Sequence, residues 1–188
     1  MLIYPWLLHN YTLHQRQQEQ ARLQRYVKDA DVFLNTSLPY LSDEPVRRHS
    51  AGAMLRYAGE VLLGGRVRRP VVFLVAARRV DLADHFTRQL SSLLTKHSLG
   101  QSELDLGESA NREMGWEEFE RRVHERLDQH RVLMLKGIDK LKSTAPLLLQ
   151  SVSDPDSSPY MDKGVLIVAT LHLTNPSKGA GCNTQVSE

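Results

Sequence analysis

Cysteine is nearly absent: Cys182 is the only one in 188 residues. No intramolecular disulfide can form, and no cysteine-based metal site can be built. Taken alone, so little cysteine points to a reducing compartment. A surplus of one charge sign is missing as well. The net charge is +2, too small to argue for nucleic acid or a membrane surface as partner. Long hydrophobic runs are missing too. No stretch approaches the roughly 20 apolar residues of a membrane span. The first ten residues, MLIYPWLLHN, have no basic flank, and Pro5 interrupts their apolar run, so they do not read as a secretory leader. The chain carries no address as written. The expectation is a cytosolic protein or a piece of something longer.

What is present is ordinary globular material. The chain is 41% hydrophobic and 24% charged, enough to build a core. Residues 13–34 are rich in Gln and Arg, but Leu23, Val27, Ala30 and Leu34 recur at helical spacing. Residues 35–45 hold Pro39 and Pro45 and read as a loop or linker. A second helix starts near Ser42 or Asp43, with Pro45 in its first turn, and stops at Gly64-Gly65. Its apolar face is Met54, Leu55, Ala58, Val61 and Leu62.

The pattern then changes. VVFLVA (71–76), VLMLK (132–136) and GVLIVAT (164–170) are continuous apolar runs of the kind found in strands buried on both faces. SELDL (102–106) is a weaker strand candidate. Between them, helices are expected from Asp81 to about His97, over the Trp116, Phe119, Val123 and Leu127 series, and over 144–152. Leu82, Phe86, Leu90 and Leu93/Leu94 mark one side of the first of these. DPDSSP (154–159) reads as a loop. Such alternation predicts an α/β fold with an open, mainly parallel sheet and helices on both faces. The expected organisation is a polar helical segment and linker over 1–44, the α/β domain over 45–173, and a disordered tail over 174–188.

Nucleotide chemistry is the first possibility to weigh. A phosphate loop needs glycines so that backbone amides can wrap the phosphates, and a lysine to reach the outer ones. The first strand–helix turn reads VAARRVDLAD. No glycine lies between Arg66 and Leu99, and no lysine from 66 to 95. A hydrolytic site also needs acids at the end of the third strand for magnesium and water. Lys136 and Gly137 stand there instead, and Asp139 follows one turn later. By chemistry alone, Asp139 caps or precedes the next segment.

Other chemistries find less. Arg66, Arg68, Arg69, Arg78 and Arg79 cluster in print, but a strand over 70–77 puts Arg69 and Arg78 roughly 30 Å apart. They do not form one nucleic-acid footprint. Eight histidines show no metal-ligand spacing. Glu117, Glu118 and Glu120 fall in a first helical turn, where carboxylates suit the dipole. Two sequons, at Asn10 and Asn35, lie in the N-terminal segment and shift weight toward a lumenal glycoprotein. Pro176 disqualifies a third at Asn175.

RPVVFLVAARRVDLADHFTRQLSSLL (69–94) resembles the start of the lumenal domain of torsin-interacting proteins, the lamina-associated polypeptide family. VLMLKGIDKLKSTAPLLLQSVSDPDSSPYMDKGVLIVATLHL (132–173) is similar to the later strand, helix, loop and strand of that domain, including Asp154, Tyr160 and Asp162 in the loop. The likeness covers about 50–173. It implies a degenerate AAA+-like, P-loop-like domain that takes no cofactor and no metal and has no catalytic residues. Such a domain docks beside a torsin AAA+ ATPase in the endoplasmic reticulum lumen or perinuclear space and activates it, with Asp139 at the position that supports binding. It also implies anchorage at the nuclear envelope and links to lamina or nuclear-envelope proteins through a preceding region.

Three departures stand beside the resemblance. The family's finger arginine lies beyond the last strand matched here, and no arginine follows Arg131. Ser153 stands where relatives often have a cysteine, so Cys182 has no partner. The membrane span that precedes the domain is not in this sequence. A domain truncated at its C-terminus is expected from these. The rival expectations are a nuclear-envelope scaffold without activator activity and a divergent nucleotide hydrolase using Arg78 and Arg79.

Overall fold

Four apolar segments form one sheet in a computed structural model that describes residues 5–37, 45–64, 69–108, 114–141, 147–154 and 156–173, the side chains of 5–11, 37 and 45–47 excepted. The elements are α1 (Pro5–Ser37), α2 (Pro45–Leu63), β1 (Val71–Ala77), α3 (Val80–Lys96), β2 (Gln101–Asp105), α4 (Trp116–Gln129), β3 (Val132–Lys136), a 3₁₀ turn (Ile138–Lys140), α5 (Leu148–Ser153) and β4 (Leu166–His172). The strand order is β1-β4-β3-β2, and every pairing is parallel. The α/β expectation holds, with an open parallel sheet and helices on both sides.

Strand alternation explains the two layers. Val71, Phe73, Val132, Met134, Leu166 and Val168 face one cluster, filled by residues of α1, α2 and α3. Leu133, Leu135, Ile167 and Ala169 face the other, filled by Phe119, Val123 and Leu127 of α4 and by Leu148, Leu149 and Val152 of α5. Each fully buried side chain of this kind contributes about 1.5–3 kcal/mol by leaving water. The chain crosses from β1 to the far edge through α3 on one face. It then steps back to β3 and β4 through α4 and α5 on the other. That change of direction follows from the fixed hand of parallel crossovers.

Several expected boundaries move. The segment over 1–44 is not set apart from the core. Tyr26, Ala30, Phe33 and Leu34 of α1 lie in the same cluster as Leu55, Ala58 and Val71. Three residues assigned to the linker, 35–37, complete α1; residues 38–44 lie outside the described residues. The last strand runs 166–172 rather than 164–170. Gly164 sits at φ +57, a left-handed conformation that cannot continue a strand, and pairing with β1 carries the ladder on to Ala77 opposite His172. α5 starts at Leu148, and 142–146, like the tail over 174–188, lie outside the described residues. Leu82, expected on the apolar side of α3, is exposed; Ala83, Thr87, Leu90, Leu93 and Leu94 form the buried side.

Arg131 ties the end of α2 to the loop before β4. Its guanidinium donates to the carbonyls of Val61 (2.9 Å), Leu62 (3.0 Å) and Gly164 (2.8 Å from Nη2). The first two belong to the last turn of α2, where carbonyls have no helical partner. A cation at that end also suits the helix dipole. This tie lies at the N-terminal end of β3 and β4.

Candidate functional site at the carboxyl end of the sheet

In open parallel sheets, ligands and partners meet the crevice outside the carboxyl ends of the strands, where neighbouring connections leave to opposite faces. Here the connection from β1 enters α3 on one face, and that from β3 leads to α5 on the other. A crevice of about 400 Å³ opens between them. Ala77 and Val80 line one side, Lys136, Gly137 and Asp139 another, and Thr170 and His172 the floor. A larger hollow of about 770 Å³ lies between α1 and α2 around Asp31, Arg48 and Arg56. It is lined by helix residues, whereas residues at the carboxyl ends of β1, β3 and β4 line the crevice, so the crevice is the better candidate.

The β1–α3 turn carries no glycine and no lysine. Arg79 points along the first turn of α3 and bonds the carboxylate of Asp81, Nε to Oδ1 at 3.0 Å. The pair is exposed, and hydrogen bonding by Arg79 holds the Asp81 carboxyl below its usual range. The carbonyl of Arg78 accepts a bond from Nε2 of His172 at 2.8 Å. That geometry places a carbonyl oxygen, an acceptor, toward β4. A phosphate would require donors there.

The end of β3 is built around one left-handed residue. Gly137 has φ +71, a conformation that costs any side-chain-bearing residue about 1 kcal/mol or more. Its N–H donates to Oγ1 of the buried Thr170 at 2.9 Å. Lys136, where an acid would serve hydrolysis, reaches across to Glu103 on β2, Nζ to Oε1 at 2.6 Å. Its carbonyl accepts the N–H of Leu106 at 2.8 Å.

Asp139 comes next, and its side chain is only 16% exposed. Oδ1 accepts the backbone N–H of His172 at 2.9 Å. Oδ2 meets the ammonium of Lys140 at 2.8 Å. Partial burial pushes the carboxyl up, but the bond from Lys140 and that from the His172 amide pull it below its ordinary value. Asp139 is therefore a carboxylate held ionised by its neighbours. It locks the turn after β3 to the end of β4, and the Lys140 side of the pair faces outward.

The other residues singled out from sequence lie elsewhere. Arg69 and Arg78 stand at opposite ends of β1, as the strand length requires. Asn35 is exposed on α1 and its Oδ1 accepts a bond from Arg48; Asn10 belongs to α1, with its side chain outside the described residues. Both sequons thus sit in a helix. Glu118 binds Arg121 and Arg122 on the surface of α4. Nothing in the sequence signals the bond between His172 and the Arg78 carbonyl, which lie 94 residues apart. Among the described residues, no three His, Cys, Asp or Glu side chains converge as metal ligands, and no helix is long and apolar enough to cross a membrane. The chain matches no protein-family model, and no curated protein or solved structure is similar to it at a significant level.

Proposed function

We propose that this chain is a non-catalytic AAA+-like module that docks on a torsin AAA+ ATPase, at the endoplasmic reticulum and nuclear envelope. The observation that carries the reading is Asp139. It is the first acid after β3, and both of its oxygens are engaged, one by the His172 amide and one by Lys140. A carboxylate so committed does not serve magnesium or an attacking water. It does hold a rigid, charged turn at the mouth of the crevice, the sort of feature that steers a partner. The β1–α3 turn supports the same reading, because it offers a carbonyl and a salt-bridged arginine where phosphate binding needs free amides.

One observation favours docking without activation. Arg131 is bound to three carbonyls at the opposite end of the strands. It cannot also serve as a finger in a neighbour's active site. The scaffold reading stands second: on it the chain binds a torsin without stimulating its turnover. Purified chain mixed with a torsin locked in its ATP state should co-elute as a complex. Turnover of the cycling torsin, measured with and without the chain, separates activator from scaffold. A folded chain that forms no complex overturns the proposal.

A further inference from the structure

A charged surface lies at the other end of the sheet from the crevice. α3 ends at Lys96, just before β2 begins, and α1 passes beside it. Between them is an open hollow of about 560 Å³, lined by Arg22, Arg25, Lys28 and Asp29 of α1 and by Lys96 and His97. Among the described residues that line it, Asp29 is the one acid, and it is already engaged. Its Oδ1 meets Nζ of Lys96 at 2.9 Å, and its Oδ2 meets Nε2 of His97 at 2.9 Å. Arg22, Arg25 and Lys28 are exposed and form no ion pair among the described residues. With His97 neutral, the lining carries three net positive charges, against +2 for the whole chain. The rest of the chain is thus close to neutral.

Like charges one turn apart on a helix repel, and Arg22, Arg25 and Lys28 are spaced in that way. α4 carries arginines too, but there Arg121 and Arg122 are laced to Glu118 and Glu125. The row on α1 has no such counter-charge. We infer that it receives an acidic helical segment of a partner protein, with carboxylates one turn apart along one face. Spacing selects a helix. Three residues of α1 rise about 4.5 Å, and acids one turn apart on a helix laid alongside follow that rise. Alternate residues of an extended segment stand about 6.8 Å apart and fall out of step. Each arginine fork can take a carboxylate with two parallel donors.

A phosphate group is the poorer fit, because phosphate sites are built with backbone amides. The amides of His97, Ser98 and Leu99 all donate back to carbonyls in the last turn of α3, at 3.1, 2.9 and 3.1 Å. The carboxyl end of a helix also disfavours concentrated negative charge. The inference does not depend on the torsin reading, because the hollow and the crevice share no lining residue.

The test uses the full chain and a fluorescein-labelled, alanine-rich peptide of about 16 residues, long enough to populate a helix, with its glutamates on one face. A second peptide of the same composition has its glutamates scattered around the helix. Binding is read by fluorescence anisotropy at low salt. The one-faced peptide should bind more tightly than the scattered one. Arg22→Glu with Arg25→Glu should weaken it about three- to thirtyfold, with an unchanged unfolding midpoint because both positions are exposed. Arg16→Glu with Arg88→Glu makes the same change of charge at exposed positions outside the hollow, and should alter binding by less than about twofold. Equal binding of the two peptides, or no binding at low salt, overturns the inference. Displacement of the peptide by inorganic phosphate beyond that by sodium chloride at equal ionic strength overturns it in favour of a phosphate site. Self-association of the chain that Arg22→Glu with Arg25→Glu abolishes overturns it in favour of a second copy.

Discussion

The carboxylate of Asp139 accepts the backbone N–H of His172 at 2.9 Å, across 33 residues of chain. One side chain thereby fixes the turn after β3 to the last residue of β4. Asp139→Ala removes the acceptor and leaves that half-buried amide unpaired, which costs about 1–3 kcal/mol. Asp139→Asn keeps an oxygen for the amide and loses the charge facing Lys140. Urea denaturation should rank the Ala variant clearly below wild type and the Asn variant between them. If the torsin reading holds, Asn should weaken complex formation more than it weakens the fold.

The same carboxylate gives stability a sign in pH. Its folded pKa lies below the ordinary carboxylate value, as does that of Asp29, which is bound by Lys96 and then by His97. A lowered folded pKa means that the unfolded chain takes up protons first. The contribution is then complete above the unfolded value of about 3.9 and is lost as pH falls through the folded one. The stability difference between wild type and Asp139→Asn should be constant near neutrality and shrink as pH is lowered below about 4.5. A difference that grows with acid would contradict the assignment of charge to Asp139.

The strands were legible because burial on both faces removes the polar alternation. VLMLK and VVFLVA therefore announce themselves in print, whereas the place of α1 does not. Its Gln- and Arg-rich surface hides Tyr26 and Phe33, which reach the core only because α2 and α3 pack on that side. Asp139 could be picked out by its place after an apolar strand. Its partner could not, since the bond to His172 depends on β3 and β4 being neighbours in register. The contact between His172 and the Arg78 carbonyl spans 94 residues. It is set by the pairing of Ala77 with His172, which no local pattern encodes.

Arg131 offers a sharper test of packing. Its forked donors serve Val61, Leu62 and Gly164 at once. Lysine keeps the charge but not the planar fork. The side chain is partly open to solvent, so the cost of Arg131→Lys is set at about 1–2 kcal/mol, below that of a fully buried charged bond. Amide exchange should quicken first in the last turn of α2. An unchanged unfolding midpoint would mean that water replaces these bonds without loss.

Two glycines of α2 should respond to alanine with opposite signs, and the reason lies in α1. At Gly59 a new Cβ would stand 2.5 Å from Cδ1 of Tyr26, and Tyr26 is fully buried. The ring cannot swing outward without breaking its edge contact with His97, whose centroid lies 5.2 Å away. Alanine improves helix propensity by up to about 1 kcal/mol, but overpacking a closed core costs about 1–3 kcal/mol. The clash dominates, and Gly59→Ala should lower the unfolding midpoint. At Gly52 the nearest atom to a new Cβ is Cδ1 of Leu34 at 3.4 Å, an ordinary contact. There the propensity gain stands alone, and Gly52→Ala should stabilise the chain by about 0.5–1 kcal/mol. Thermal melts of the two variants decide the point, because both signs depend on α1 lying against α2. If Gly59→Ala stabilised the protein as much as Gly52→Ala, Tyr26 would not be packed there, and the first helix would not belong to the core.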